Sequence, residues 1–389
     1  MKRLLTFFLI CFSFVEYTRA EDIIDYKYWD EGKLTWDDFQ DTLSLKGVPS
    51  AFNAFLRIEK TEKRDGNTRT IRPEAQACFD KRHSFADRQI QNENLLRLFQ
   101  LKYDLLEMYR RRLQTELNLG VVGIAADNRT RQYMDLYTEQ SKKAEQETEN
   151  GQNEIKLQEW EFYVTKELIE NPAPSIPRIS PRRFGYGFYL GTGASFPVGN
   201  IADYWAPAWQ ISVGFDLAYA NTHLLCDFSA GTARTRQEIT VSNGQITDKW
   251  LRNGHNTYTS ISLGIGQQLI STKYFALMPY VGCIWSGYSD QAKIQEGRNE
   301  RTTLSYTNFN WTAGICFDYR FSTTISLVPS FWRGHREIFT ASIRTKLFIN
   351  REQFHNFKIA PDDNGSMLRG CKLGFSVACL GFSRLLQIK

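Results

Sequence analysis

The sequence predicts an α+β N-terminal domain with long helices, followed by an antiparallel transmembrane β-barrel of 8–10 strands. Three observations lead to this prediction. Apolar residues recur at helical intervals over residues 86–117 and 129–169. They alternate with small or polar residues over much of residues 183–389. A proline-rich stretch at residues 171–182 separates the two patterns.

The start of the chain has the features of a secretory signal peptide. A basic N-terminus precedes an apolar run from Leu4 to Val15, and the small residue Ala20 ends the segment. The run is too short to span a bilayer, so we expect residues 1–20 to be removed by cleavage after Ala20. The net charge of the whole chain is +5, which is too mild to predict nucleic acid as a partner.

The N-terminal domain is predicted to be built on two helical stretches. Residues 86–117 give the strongest signal, because apolar side chains recur there at intervals of three and four. A second stretch over residues 129–169 is interrupted at Asn150-Gly151, a pair that favours a turn. Residues 54–59 and 68–72 have the character of short strands.

The prolines of residues 171–182 define the predicted domain boundary. Closely spaced prolines disfavour helix and favour extended chain, so this segment is predicted to be a semi-rigid linker. It divides the mature chain into an N-terminal domain over residues 21–170 and a barrel over residues 183–389.

Strict alternation is the basis of the barrel prediction. In residues 208–219, Trp209 and Phe215 share one strand face, whereas Gln210 and Asp216 share the other. The same period appears in residues 184–196, 222–232, 258–268, 274–288, 308–320, 338–348 and 371–382. A soluble β-sandwich also alternates, so alternation alone leaves both folds open.

Further features favour the membrane barrel. Aromatic residues such as Trp209 and Tyr219 lie towards the ends of the apolar faces, which suits interfacial girdles. Short connections are predicted at Ala220-Asn221, 271–273 and Ser322-Thr323, and long ones at 234–255 and 290–304, an alternation typical of outer-membrane barrels. The pattern resembles the Bacteroidetes-type small outer-membrane barrels.

Charged residues on the faces opposite the apolar ones are predicted to line a packed polar lumen. They are Asp216, Asp227, Asp318, Arg320, Arg344, Lys346 and Lys372. About nine strands are counted from the sequence: residues 352–359 would make ten, and the count is eight if one segment does not span. Either even number leaves little or no open channel.

Three sequence segments resemble the DUF922 family of secreted proteins, which carry a proposed zinc-protease motif. Residues 34–39 (LTWDDF) resemble the family's LTWxDF opening. Ser84-Phe85 and residues 103–113 resemble its HFD-I-A-E-x-Y-A-R-x-L helix, and residues 148–160 resemble its T-x-H-G and Q-x-x-W segment. The resemblance covers roughly residues 30–170 and implies the family's scaffold for the N-terminal domain.

The positions that the resemblance would assign to a zinc site are all replaced. The family's HExxH helix binds zinc through two histidines, and its glutamate acts on the metal-bound water. Residues 98–102 read LFQLK here, and the histidine of T-x-H-G is Asn150. Leu98 offers no lone pair, Phe99 cannot act as a base, and Lys102 has no acceptor. We therefore expect a pseudoenzyme without catalytic residues, metal or cofactor.

These inferences combine into a working hypothesis about location and role. The barrel is expected in outer-membrane lipid, with the inactive N-terminal domain in the periplasm, where it binds an envelope protein, a peptide or a cell-wall ligand. One alternative is a metallopeptidase with a non-standard site, which stoichiometric zinc would reveal. The other is a small outer-membrane pore or transporter, which conductance in liposomes would reveal.

Overall fold

The computed structural model describes residues 25–41, 49–175, 177–242, 247–290, 305–328, 336–354 and 368–388. The predicted signal peptide at residues 1–20 lies outside these ranges. The chain divides into a helical unit, Met1–Glu59 with Glu74–Ser175, and a barrel unit, Lys60–Pro73 with Ile176–Lys389. None of the helices in the described ranges combines the length and the apolar character needed to cross a bilayer.

The N-terminal segment contains five strands and three α-helices within the described residues. The strands are β1 (Tyr26–Tyr28), β2 (Ser50–Ala51), β3 (Ala54–Asp65), β4 (Thr68–Asp80) and β5 (Phe85–Ala86), and the helices are α1 (Glu93–Leu119), α2 (Ile124–Glu147) and α3 (Glu154–Glu170). Strand β4 pairs with both β1 and β3, and β2 pairs with β5.

Helix α1 forms the centre of the helical unit. It begins later than the predicted residue 86, because the Asn92 side chain accepts a hydrogen bond from the backbone N–H of Leu95 (2.8 Å) and caps the helix there. Its apolar face, including Leu98, Leu105 and Leu113, is buried in the main core of this unit. Helices α2 and α3 both pack on α1.

The break between α2 and α3 falls at the predicted Asn150-Gly151 turn. Asn150 and Gly151 both have positive φ angles, of 57° and 88°. Asparagine and glycine adopt this region more readily than other residues. A Cβ atom at Gly151 would lie 3.0 Å from the Asn94 carbonyl oxygen, so the turn also needs a residue without a side chain.

The two short strands predicted near residues 54–59 and 68–72 are one long hairpin, β3–β4. Gly66 has a φ angle of 60° at its turn. The tip of the hairpin, Lys60–Pro73, belongs to the barrel unit. The predicted boundary, with all of residues 21–170 in one N-terminal domain, is therefore wrong at this hairpin.

The barrel unit contains eleven further strands within the described residues. They are β6 (Ile179–Gly199), β7 (Ala208–Tyr219), β8 (Thr222–Arg234), β9 (Ile239–Ser242), β10 (Thr247–Trp250), β11 (His255–Gln267), β12 (Ile270–Ser271), β13 (Phe275–Asp290), β14 (Ser305–Ser326), β15 (Glu337–Phe354) and β16 (Leu368–Ile388). Strands β9 and β10 form a small hairpin inside the long 234–255 connection.

Eight of the described strands pair in a ring. The antiparallel order is β6, β7, β8, β11, β13, β14, β15 and β16, and β16 pairs again with β6. Pairing that returns to its first strand is the arrangement of a β-barrel, which leaves no open sheet edge. Eight is the lower end of the predicted 8–10 strands.

The predicted linker at residues 171–182 ends too late. Strand β6 already begins at Ile179, and Pro181 lies opposite Leu386 beside a register shift in β16. Such irregularities tolerate proline, because no ladder hydrogen bond from its nitrogen is needed there. The last proline of the predicted linker, Pro181, therefore lies inside β6 and not in the linker.

The predicted short turn at Ser322-Thr323 is also wrong. Strand β14 continues to Ser326 through a register shift between Arg320 and Ser322, as a β-bulge allows. Its last residues, from Thr323 to Ser326, pair in parallel with Thr68–Ile71 of the hairpin tip.

The doubtful segment at residues 352–359 adds no strand within the described residues. Glu352 to Phe354 are the end of β15, and residues 355–359 lie outside the described ranges. The predicted long connection at 290–304 also lies outside them, apart from Asp290 at the end of β13.

Candidate functional site

The outer surface of the barrel unit carries large apolar side chains on all eight strands of the ring. We call this surface the apolar belt. Its members include Phe184, Phe188, Leu190, Phe196, Trp209, Ile211, Phe215, Leu217, Leu224, Phe228, Ile261, Leu263, Ile265, Val281, Trp285, Phe309, Trp311, Ile315, Phe317, Ile343, Leu347, Leu373, Phe375 and Val377, all exposed. A β-sandwich would bury such faces between two sheets.

The interior holds the charged residues, in clusters along the lumen. The first cluster centres on Arg344 of β15, which lies directly opposite Asp318 of β14 in the strand register. Arg344 Nε donates to Asp318 Oδ1 (2.7 Å), and Arg344 Nη2 donates to Asp216 Oδ2 (2.7 Å) across the lumen. His223 Nδ1 lies 2.7 Å from the other Asp216 oxygen. All four side chains are buried.

The second cluster joins Lys346 to Asp227 of β8. Lys346 Nζ donates to Asp227 Oδ2 (2.7 Å), and the Tyr189 hydroxyl donates to Asp227 Oδ1. The Lys346 ammonium also lies 5.4 Å from the centre of the Tyr189 ring, within the range of a cation–π interaction.

The third cluster pairs Lys372 of β16 with Glu352, at 2.8 Å between Nζ and Oε1. The Lys372 ammonium lies 3.6 Å from the Tyr258 ring centre. The sequence did not predict Glu352 as a lumen charge, because residues 352–359 were predicted as a possible extra strand and not as the end of β15. The missed signal was the alternation itself, since Glu352 lies eight residues after Arg344 and therefore on the same face of β15.

Six of the seven predicted lumen charges therefore lie in these clusters, and Arg320 does not. Arg320 is at the bulge of β14, where its Nη1 donates to the Thr272 carbonyl oxygen (2.7 Å). Between Asp227, Lys346 and Asn350 the lumen contains a cavity of about 30 Å³, room for about two waters. This is far from an open channel.

The four positions that the DUF922 resemblance would assign to a zinc site have other roles in the helical unit. Leu98 and Phe99 are buried in its core. Lys102 is also buried, and its Nζ lies 2.5 Å from Glu145 Oε1 and 4.7 Å from the Phe52 ring centre. Asn150 is exposed in the turn after α2. Across the described ranges, no three His, Cys, Asp or Glu side chains are grouped to hold a metal ion.

The Asp104 carboxyl group of α1 has a shifted pKa and lies two residues after Lys102. Burial raises the pKa of Asp104 above its ordinary value. Hydrogen bonds from Trp29 Nε1 (2.8 Å) and Gln100 Nε2 (2.7 Å) to its Oδ1 oppose that rise in part. The charged form is thus disfavoured in the fold, so the contribution of Asp104 to stability is present at low pH and is lost as the pH rises through its folded-state pKa.

Asp104→Asn is therefore expected to stabilise the helical unit at pH 7, by on the order of 1 kcal/mol, because an amide oxygen still accepts both hydrogen bonds without the desolvated charge. The gain should disappear near pH 3. Thermal unfolding of the full chain, followed by its helical circular dichroism at 222 nm, measures this. Asp135→Asn, at an exposed position of α2, is the control. A gain equal at both pH values would contradict the assignment.

Similarity to known proteins is found at the level of solved structures. No protein-family model matches the chain, and no curated protein matches it. Among solved structures, it is similar to Ail, the attachment invasion locus protein of Yersinia pestis, in complex with the heparin analogue sucrose octasulfate. The identity is 10%, the TM-score is 0.26, and the match covers 52% of this chain and 99% of Ail.

Two further solved structures are similar to about half of the chain. One is Neisserial surface protein A, with 7% identity, a TM-score of 0.25 and coverage of 54% of this chain and 98% of that one. The other is the N-terminal β-barrel domain of OprF from Pseudomonas aeruginosa, with 12% identity, a TM-score of 0.21 and coverage of 51% and 99%. Because these TM-scores are low, the assignment of the fold depends on the strand pairing of this chain itself.

Proposed function

We propose that the barrel unit spans a bacterial outer membrane and anchors a protease-like, catalytically inactive N-terminal domain in the periplasm. The apolar belt carries the first part of this proposal. Its side chains would be costly in water and are favourable in hydrocarbon, whereas the charged groups are confined to the lumen. Ring pairing gives each of the eight strands a hydrogen-bonded neighbour on both sides, as a bilayer requires.

The periplasmic placement is supported by the end of the barrel at which β6 begins and β16 ends. The start of β6 pairs with the end of β16, with Ile179 opposite Ile388. The Ala220-Asn221 turn lies near the same end, because Tyr219 pairs with Phe184 of β6. Short turns of outer-membrane barrels face the periplasm. The residues preceding β6 would therefore enter the barrel from the periplasm.

Loss of catalysis in the N-terminal domain is proposed from the residues that replace the zinc site. Two of them, Leu98 and Phe99, are part of the hydrophobic core, and Lys102 is neutralised by Glu145. A lysine held as an ammonium ion has no lone pair for a metal. What remains is a folded scaffold without its chemistry, which suits a binding role.

An envelope protein is the partner that the surface of α3 favours. Ile155, Phe162 and Ile169 are 72%, 73% and 74% exposed, and their seven-residue spacing puts them on one helix face. We call this the α3 stripe. Grouped large apolar side chains at a surface typically mark protein interaction sites.

Phe162→Ser is expected to reduce capture of the partner by about tenfold or more, since a buried aromatic anchor can contribute 2 kcal/mol or more to binding. The measurement is chemical cross-linking of the full-length protein in intact envelopes, followed by identification of the linked protein. Ile124→Ser removes another exposed apolar side chain, 80% exposed at the start of α2, and is the matched control. Equal cross-linking by both variants, or cross-links to peptidoglycan alone, would contradict a protein partner at the α3 stripe.

A further inference from the structure

A cavity of about 390 Å³ opens at the short-turn end of the barrel unit. Its lining includes Arg320, Arg344, Arg384, His223 and Lys273. The acidic residue Asp318 also lines the cavity. The cavity therefore adjoins the Arg344 cluster and adds Arg320 and Arg384, each of which donates to a backbone carbonyl oxygen.

Two of its arginines are held in place without being neutralised by the groups that hold them. Arg320 Nη1 donates to the Thr272 carbonyl oxygen (2.7 Å), and Arg384 Nη2 donates to the Ala220 carbonyl oxygen (2.5 Å). Carbonyl oxygens orient a guanidinium group but leave its full positive charge. Asp318 is already bound to Arg344 through both of its oxygens. The charge of Arg320 interacts favourably with Asp318 and, less strongly, unfavourably with Arg384.

A second observation concerns two buried polar atoms of the cavity lining. Arg344 Nη1 and His223 Nε2 have no hydrogen-bond partner within the described residues. Arg344 is 1% exposed and His223 is 4% exposed, so bulk water does not replace the missing partners. An unpaired buried polar atom costs about 1–3 kcal/mol, and a ligand that supplied its partner would recover that energy.

We propose that this cavity binds a phosphoryl group carried on a small organic molecule. Arg320 and Arg384 bring two guanidinium groups to one cavity, and a phosphate monoester, which carries about −1.5 to −2 at pH 7, can pair with both. Guanidinium groups also match phosphate oxygens with paired hydrogen bonds. Leu380, Phe382 and Ile338 supply an apolar wall for the organic part. The volume lies in the ordinary range of small-molecule sites.

The phosphoryl group could come from a soluble ester or from a lipid headgroup, and two probes distinguish these sources. Full-length protein in maltoside micelles is titrated calorimetrically with phenyl phosphate. The same protein in nanodiscs of phosphatidylcholine, with or without a small fraction of phosphatidic acid, is examined by phosphorus NMR for a bound headgroup signal. Binding in either arm supports the site, and the arm that shows it identifies the source.

Arg384→Gln and Arg320→Gln are each expected to weaken binding by about tenfold or more, which corresponds to loss of one charge-assisted hydrogen-bonded pair. Arg351→Gln is the control, because Arg351 is exposed near the end of β15 and does not line the cavity. Heat-modifiable gel migration verifies that each variant folds. Absence of binding in both arms, or binding that survives both cavity variants, would overturn the proposal.

A ligand-only comparison covers the case in which the variants fail to fold. Phenyl phosphate should raise the thermal unfolding midpoint of the unaltered protein, because a ligand that binds only the folded state stabilises it. Benzyl alcohol, which has the same ring without the charge, should leave the midpoint unchanged. Equal shifts with both compounds, or no shift with phenyl phosphate, would overturn the phosphoryl site.

Discussion

Arg344→Met is expected to destabilise the barrel unit by about 3–5 kcal/mol, the cost of breaking a buried ion pair by removing one partner. Arg344 is bonded to Asp216 and Asp318 at 2.7 Å each, and all three side chains are buried. Methionine fills much of the same volume, so the loss isolates the charge. It leaves two carboxylates in the barrel interior: Asp216 keeps its contact with His223, whereas Asp318 loses both of its hydrogen bonds from Arg344.

The effect is measured by urea unfolding of the protein in lipid vesicles, scored by the fraction of the heat-modifiable folded form. Arg351→Met is the control, since Arg351 lies on the same strand and is exposed. Adding Asp318→Asn to Arg344→Met should recover part of the loss, because it removes one unpaired carboxylate. An Arg344→Met protein as stable as the control, within about 1 kcal/mol, would contradict the role of this cluster.

Leu347→Arg is expected to cost about 2–4 kcal/mol of folding free energy in a bilayer, as a cation near the midplane of a lipid-facing strand does. Leu347 is 60% exposed, near the middle of β15, with Ile315 and Phe375 opposite it on the neighbouring strands. The cost arises because lipid hydrocarbon cannot hydrate the guanidinium group. In water, the same substitution at an exposed position would change little.

The matched control is Leu251→Arg. Leu251 is 53% exposed in the long connection after β10, outside the apolar belt, and its change should cost about 0–1 kcal/mol. Both variants are refolded from urea into phosphatidylcholine vesicles, and their unfolding midpoints are compared. Equal midpoints would mean that Leu347 does not face lipid, and the membrane-spanning assignment would fail with it.

Alternation in the sequence was sufficient to locate the eight strands of the ring, though not their ends, and to predict the inward side of most of their charges. The period-two pattern placed Asp318, Arg344 and Lys346 on inward faces without any knowledge of pairing. It did not predict that Arg344 lies beside Asp318, because register depends on the whole ring. The sequence predicted a turn at Ser322-Thr323 where β14 has a bulge, since a local pattern cannot distinguish a strand that bends from a strand that ends.

The pairing of the hairpin tip with β14 and the cavity lined by Arg320 and Arg384 could not be predicted for a different reason, because each joins residues that are distant in the sequence. The tip residues Lys60–Pro73 join a unit whose main chain begins more than one hundred residues later, at Ile176. Arg320 and Arg384 come together only because β14 and β16 are separated by a single strand in the ring. The DUF922 resemblance stays a prediction, and the pairing of Lys102 with Glu145 is specified by no sequence motif.

If the barrel unit turns its apolar side chains to lipid and encloses its charges, the protein is held in the membrane as a folded barrel. Gel migration of protein extracted from bacterial membranes, compared before and after boiling, is the measurement that decides this. We expect membrane-fraction protein that needs detergent for extraction and runs as a compact band which shifts only on boiling. A protein found in the soluble fraction without detergent, with identical migration before and after heating, would contradict the claim.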